Sequence, residues 1–423
     1  MRATSLTLVR EPSHSVGPLE RMFLLSLCVL AGLRYIVAAD LSAAAILAVM
    51  LCVVWLPILG RYRFVVWLAV TAAIAVLSGI ALTAVNSTDH SIVSSATQSR
   101  SVMLVSLVAT LGLLLWARSR IGDNAVPIAF GVGMVLAIAL DPPSGGNIWR
   151  FSLSVPLTIL ILAITGSMRR WWLDATALVS LALIGLANDS RSNSSMLLLA
   201  AVIIVWQRLR RSSTRGRRRT SGLLSAALAA VAVFFLIQSA ILDGYFGEIT
   251  QLRTQAQIDR GGSIFAGGRP EAAASWALIS MHPFGLGSGI RATSEEIARA
   301  KDAMLGIGYD PNNGYVQRYL FGSGIEVHSM LGDMWIWFGL AGVAVAAVMV
   351  LVVLSGVDRG LRTSTITGLG CYLAIRFVWD MFFSPAGSSM QLTALCLAIL
   401  AVPLARAHSA ERRIPTTINA PRI

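Results

Sequence analysis

The sequence predicts an all-α fold: a polytopic membrane bundle of about twelve transmembrane helices, with a small helical subdomain outside the membrane. Three observations predict it. Of 423 residues, 56% are hydrophobic and 13% charged, against about 45–50% and about 25% in soluble domains. Apolar runs recur along the whole chain at about 17–25 residues, the length a helix needs to cross a hydrocarbon layer about 30 Å thick. Basic residues gather in alternate connections, as retention of Arg and Lys on the cytoplasmic side requires.

Spans are expected near 22–38, 41–59, 64–85, 101–117, 125–140, 151–166, 171–187, 196–207, 221–241, 330–354, 366–381 and 390–405. With the N-terminus inside, the inside segments hold 22 of the 34 basic residues, and the short outside loops hold only Arg100, Arg150 and Arg191. Both ends are then cytoplasmic. The stretch from Arg21 to "VAAD" mimics a signal peptide, but reading it as a retained first span keeps the count coherent. The chain divides into an N-terminal membrane bundle (1–241), a large extracytoplasmic loop (242–328), and a C-terminal bundle of about three spans with its tail (329–423).

The net charge of +13 follows this topology and does not call for nucleic acid. The run "RLRRSSTRGRRRT" at 208–220 is an inside loop, a stop-transfer signal that can also meet anionic lipid heads. Cys28, Cys52, Cys371 and Cys396 all fall inside spans, so neither a disulfide framework nor a zinc spacing is present. His14, His90, His282, His328 and His408 are scattered without chelating spacing, and no acidic pair occupies the first outside turn. No metal and no other cofactor is expected.

Function is sought in the one long outside segment and the helix ends facing it. Pro270 and the broken "HPFGLGSG" bracket a helix of about residues 270–281. Thr293 and Glu296 have capping-box spacing for a second helix. Arg269 stands at the start of the first, where unpaired N–H groups and a partial positive charge suit a phosphate. A surface pairing of Arg269 with Glu271 is the alternative. Arg191 stands likewise at the outer start of the eighth span, where an interface anchor is the plain reading. His328 stands at the outer start of the tenth, where a satisfied structural histidine is the plain reading and a positive helix end favours neutral imidazole able to accept a proton.

Four further residues enter as substrate-binding candidates. His282 precedes Pro283 and is expected to shape the turn. Trp276 either stacks on sugar or, as the plainer reading, packs its helix. Arg376 and Asp380, four apart on the eleventh span, share a face and pair, with contact to a lipid diphosphate as the minority reading. Asp333, one turn into the tenth span, caps, orients or meets the acceptor.

Three blocks resemble the O-antigen ligase and O-antigen polymerase superfamily of bacterial envelope glycosyltransferases. "NDSRSNSSMLLLA" is similar to its Ser-Arg turn before a span. "GGRPEAAASWALISMHPFGLGSGI" is similar to its Arg, Trp, His-Pro-x-x-Gly-x-Gly block. "VHSMLGDMWIWFGLAGVAVAA" resembles its loop-end His and following span, although Ser329 stands where the family often has Asn.

The resemblance implies a GT-C-like fold. It also implies transfer of a glycan from a polyprenyl-diphosphate carrier to an acceptor hydroxyl, at the outer face of the cytoplasmic membrane. Arg191 and Arg269 are then expected to clamp the diphosphate and His328 to act as base, in an inverting, metal-independent displacement. A polymerase using the same donor, and a transporter of lipid-linked glycan, are the alternatives.

Overall fold

The computed structural model describes residues 16–38, 41–143, 145–213, 248–261, 269–312, 314–322 and 324–404. The expected ninth span, 221–241, lies outside them, as does most of the basic run at 208–220. The described chain is mostly helical, and five of its helices are long and apolar enough to cross a membrane.

Helix α1 (Pro18–Leu33) starts on a proline and packs on α6 (Ala125–Leu140) through glycines. A Cβ on Gly32 would strike the Phe130 carbonyl, and one on Gly133 the Val29 carbonyl. Small residues let helix backbones approach where lipid supplies no hydrophobic drive between helices. The first span was expected to reach residue 38. Instead α1 ends at Leu33 with Arg34 left-handed (φ 51), and a short hairpin follows, β1 (Ile36–Ala38) with β2 (Leu41–Ser42). Arg34 therefore lies outside the helix and donates to the Gly387 carbonyl at 2.9 Å.

The second expected span is two helices, α2 (Ala43–Met50) and α3 (Cys52–Leu59), broken at Leu51 and both packed on α5 (Ser94–Ile121). Helix α4 (Val65–Asn86) shows how the bundle is built. It buries Val65, Leu68, Ala72, Ala75, Gly79 and Thr83, while Trp67, Val70, Ile74, Leu77 and Ile80 stay exposed. From Ala72 onward small residues face the protein while large apolar ones face out, the reverse of a soluble helix and the pattern lipid contact produces.

Helices α7 (Ser154–Ser167), α8 (Trp171–Ala187) and α9 (Arg191–Ser213) follow, with α8 and α9 forming a hairpin. The polar region contributes α10 (Glu248–Gly261), α11 (Glu271–Met281) and α12 (Ser294–Gly306). Thr293 and Glu296 make the expected capping box. The last three helices are α13 (Met330–Thr363), α14 (Gly368–Phe383) and α15 (Ala386–Leu400). Helix α13 is kinked at Gly339, whose φ of 62° and ψ of −145° are non-helical.

Contacts between connections sort into two groups. Glu20 meets Arg120, Tyr62 pairs with Pro403, Asp174 accepts from Gly368, and Gln207 donates to Ile366. At the opposite helix ends, Arg34 meets Gly387, Asn147 meets Asn188, Ile92 pairs with Ile290, and Arg269 meets Phe383. No contact in either group joins connections that the alternating reading puts on opposite sides.

Candidate active site

The second group of connections carries most of the candidate residues. Arg269 immediately precedes Pro270, the N-cap of α11. Its Nη1 donates to the Phe383 carbonyl at 3.2 Å, and its guanidinium lies 5.3 Å from the Trp379 ring and 5.6 Å from the Phe383 ring. Among the described residues no carboxylate pairs with it. The expected rival, Glu271, turns instead to Tyr315, whose hydroxyl donates to Glu271 Oε1 at 2.7 Å. Glu271 is 8% exposed, and its Oε2 has no partner among the described residues. The guanidinium thus keeps N–H donors for an anion beyond those the protein uses, held over two aromatic rings.

His328 lies in the same cluster, its ring 5.8 Å from that of Tyr315. Its φ of 52° is left-handed, a conformation that persists in a non-glycine residue only when its surroundings fix it. Both neighbours are fixed. The Val327 N–H donates to Asp333 Oδ1 at 2.7 Å, and the Val327 carbonyl accepts from Ser275 Oγ at 3.3 Å. Ser329 Oγ donates to the Met381 carbonyl at 3.1 Å and accepts from Gly332 N at 3.2 Å, capping α13. The imidazole therefore projects from a pinned backbone, and its buried Nδ1 has no hydrogen-bond partner among the described residues. Burial, and then the hydrogen bond to Glu271, push the Tyr315 phenol up, so it stays a neutral donor.

Arg191 does not touch this cluster. Its Nε is 3.5 Å from Asp189 Oδ1, and Asp189 also takes Arg150 Nη1 at 3.1 Å. The two sites are joined by α14. Tyr372, Arg376, Trp379, Asp380 and Phe383 recur at spacings of three and four and so form one stripe. Tyr372 donates to Asn193 at 2.7 Å, two residues into α9 from Arg191, while Trp379 and Phe383 carry Arg269. Arg376, between them, donates through Nε to Asp380 at 2.9 and 3.0 Å, the expected ion pair. Arg376 and Arg269 thereby share one helix face, and Arg191 stands two residues from the Asn193 that this face binds.

The remaining candidates divide. Asp333 is fully buried with both oxygens occupied, by Val327 N and by Ala386 N at 2.9 Å, so its carboxylate ties the two loops together. Trp276 is 70% exposed, so it does not pack its helix. His282 shapes the turn as expected: it closes α11, and its carbonyl accepts from Gly285 N at 2.9 Å. That turn then lies against the α13 kink, where a Cβ on Gly285 would sit 2.7 Å from Gly339 Cα.

Several residues carried no local signal. Tyr315 lies in a polar loop, and Glu271 entered only as a competitor for Arg269. Arg100 was counted as a loop residue yet is 6% exposed, donating to the Ser288 and Ile325 carbonyls at 2.6 and 3.1 Å beneath the Trp337 ring. It borders a cavity of about 510 Å³ lined also by Arg34, Glu326, Ser388 and Gln391. The fold also gathers two of the histidines read as scattered: His90 and His282 both meet Glu296.

Comparison with protein-family models, with curated proteins and with solved structures finds no match. The chemistry therefore rests on the residues themselves.

Proposed function

We propose that the chain is an integral-membrane glycosyltransferase that moves a glycan from a polyprenyl-diphosphate carrier to an acceptor hydroxyl, like the O-antigen ligases. The observation that carries this reading is that an unneutralised guanidinium, Arg269, and Ser329, next to the pinned imidazole of His328, bond carbonyls two residues apart at one end of α14, those of Phe383 and Met381. In the proposed step His328 takes the proton of the acceptor hydroxyl as its oxygen attacks the anomeric carbon. The bond from that carbon to the diphosphate oxygen breaks, with inversion, and polyprenyl diphosphate leaves.

The charge that develops on the leaving diphosphate falls to Arg269, to Arg376 on the α14 stripe and to Arg191 at the start of α9. The reading calls for no cation at the reacting centre. The exposed Trp276 is open to stack on sugar, the role the sequence left as its minority reading.

The proposal includes about twelve spans in a GT-C-like layout, both ends cytoplasmic, and a site on the outer side of the cytoplasmic membrane. The sorting of connections into two groups supports that alternation. A polymerase shares the donor and differs only in taking another carrier-linked repeat as acceptor. The fate of the carrier tests the reading against transport. Purified protein given polyprenyl-diphosphate oligosaccharide and envelope lipid is expected to release free polyprenyl diphosphate; carrier-linked glycan that crosses liposomes unchanged overturns the transferase and favours a transporter.

A further inference from the structure

The turn between α4 and α5 and the His-Pro turn after α11 are tied by backbone. Val93 N donates to the Gly289 carbonyl at 2.7 Å, Arg291 N to the Ser91 carbonyl at 3.1 Å, and Ile92 bridges Ile290. At the edge of this short ladder three side chains from three elements converge. Glu296 Oε1 lies 2.9 Å from His90 Nε2 and 2.6 Å from His282 Nε2. One ligand atom from each residue falls within 4.8 Å of the other two.

Two features separate this group from an ordinary carboxylate with two donors. His90 Nδ1 lies 3.2 Å from the Asn86 carbonyl, an oxygen that only accepts, so Nδ1 carries a hydrogen. Nε2, facing a carboxylate oxygen, then needs either a second proton or a cation between the two atoms. His282 Nε2 is buried and closer still to the same oxygen, shorter than an ordinary N–H···O hydrogen bond. Two lone-pair atoms so near each other call for positive charge between them.

We infer that His90 Nε2, His282 Nε2 and Glu296 Oε1 form a binding site for a divalent metal of the zinc class, clipping the α11–α12 subdomain to the outer end of α4. Two imidazoles and one carboxylate suit a zinc-class ion and leave a fourth position for water. The supporting shell is present. The Asn86 carbonyl fixes the His90 tautomer, and Glu296 Oε2 accepts the Thr293 N–H at 2.7 Å in the capping box, leaving Oε1 to point at the histidines. Ligands about 2.0–2.1 Å from a tetrahedral ion stand about 3.3 Å apart, so Oε1 withdraws by about half an ångström while the three atoms, all within 4.8 Å of one another, close around the ion.

The site is distinct from the proposed reaction centre. Arg269 precedes α11 and His282 follows it, and eleven helical residues separate them by roughly 16 Å. The inference does not depend on the transferase reading.

The test uses chelator-stripped full-length protein in detergent. Co²⁺ titration, read by its visible ligand-field absorption, is expected to saturate at one equivalent and to be displaced by Zn²⁺. His90→Gln and His282→Gln each are expected to weaken binding at least tenfold, while Arg269→Ala keeps the spectrum. Binding that is absent in the wild type, or equal in the histidine variants, overturns the site. Should the variants fail to fold, X-ray absorption of the zinc-loaded wild type is expected to show two imidazoles and one carboxylate; any other ligand set overturns it. Zinc is also expected to slow hydrogen exchange at 90–93 and 289–291 at least tenfold, and unchanged exchange with zinc bound refutes the clip.

Discussion

Replacing Asp333 by alanine removes one carboxylate and orphans two buried backbone donors, Val327 N and Ala386 N. A buried N–H stripped of its acceptor costs about 1–3 kcal/mol, so the pair sums to about 2–6 kcal/mol. Deleting the carboxylate also relieves its own burial, which brings the net effect toward the lower end, about 2–4 kcal/mol. The loss falls on the segment that holds His328 in its left-handed conformation. Hydrogen exchange at the Val327 and Ala386 amides, followed by mass spectrometry in detergent, is expected to accelerate at least thirtyfold, the equivalent of about 2 kcal/mol. Transfer is expected to fall with it. Unchanged exchange alongside lost transfer refutes the positioning role and returns Asp333 to contact with a reactant.

Four other outcomes follow from the same geometry. Arg269→Lys keeps the charge but loses the planar fork, so the rate constant for transfer is expected to drop about 10²-fold with little change in donor KM, measured by steady-state kinetics. Gly339→Ala drives a Cβ into the Phe284 carbonyl at a positive φ, and is expected to lower the thermal midpoint by the equivalent of about 2 kcal/mol or more. Burial would raise the Glu296 carboxyl, but contacts from His282 and His90 and the Thr293 N–H outweigh it and hold it at about 2, below its ordinary 4.5. Its stabilisation is thus full above 4.5 and lost as pH falls toward 2, so the gap in thermal midpoint between metal-free wild type and Glu296→Gln is expected to close across that window. Tyr315→Phe frees Glu271 and is expected to cost about 1 kcal/mol in stability and to slow transfer, read by thermal scan and product assay.

What could be read from sequence followed from local chemistry. The Thr293–Glu296 capping box and the Arg376–Asp380 pair depend on residues three and four apart, and the helix opened by Pro270 on the local chemistry of proline. The break at Leu51 had no glycine or proline to announce it. The kink at Gly339 arises because the His-Pro turn, more than fifty residues earlier, presses Phe284 and Gly285 against α13. The convergence of His90 with Glu296 spans 206 positions and rests on strand-like pairing of two loops, which no spacing rule reports. Arg100 looked like a loop arginine because its burial comes from the Ser288 and Ile325 carbonyls, supplied by distant chain.

Whether His328 is the base decides the account. Purified wild type, His328→Ala and Arg269→Ala, matched for thermal midpoint, are to be compared in one assay with polyprenyl-diphosphate oligosaccharide and envelope lipid acceptors. The account predicts a new glycoconjugate and free polyprenyl diphosphate from the wild type, and a loss of at least about 10²-fold in either variant. Normal transfer by well-folded His328→Ala would contradict it.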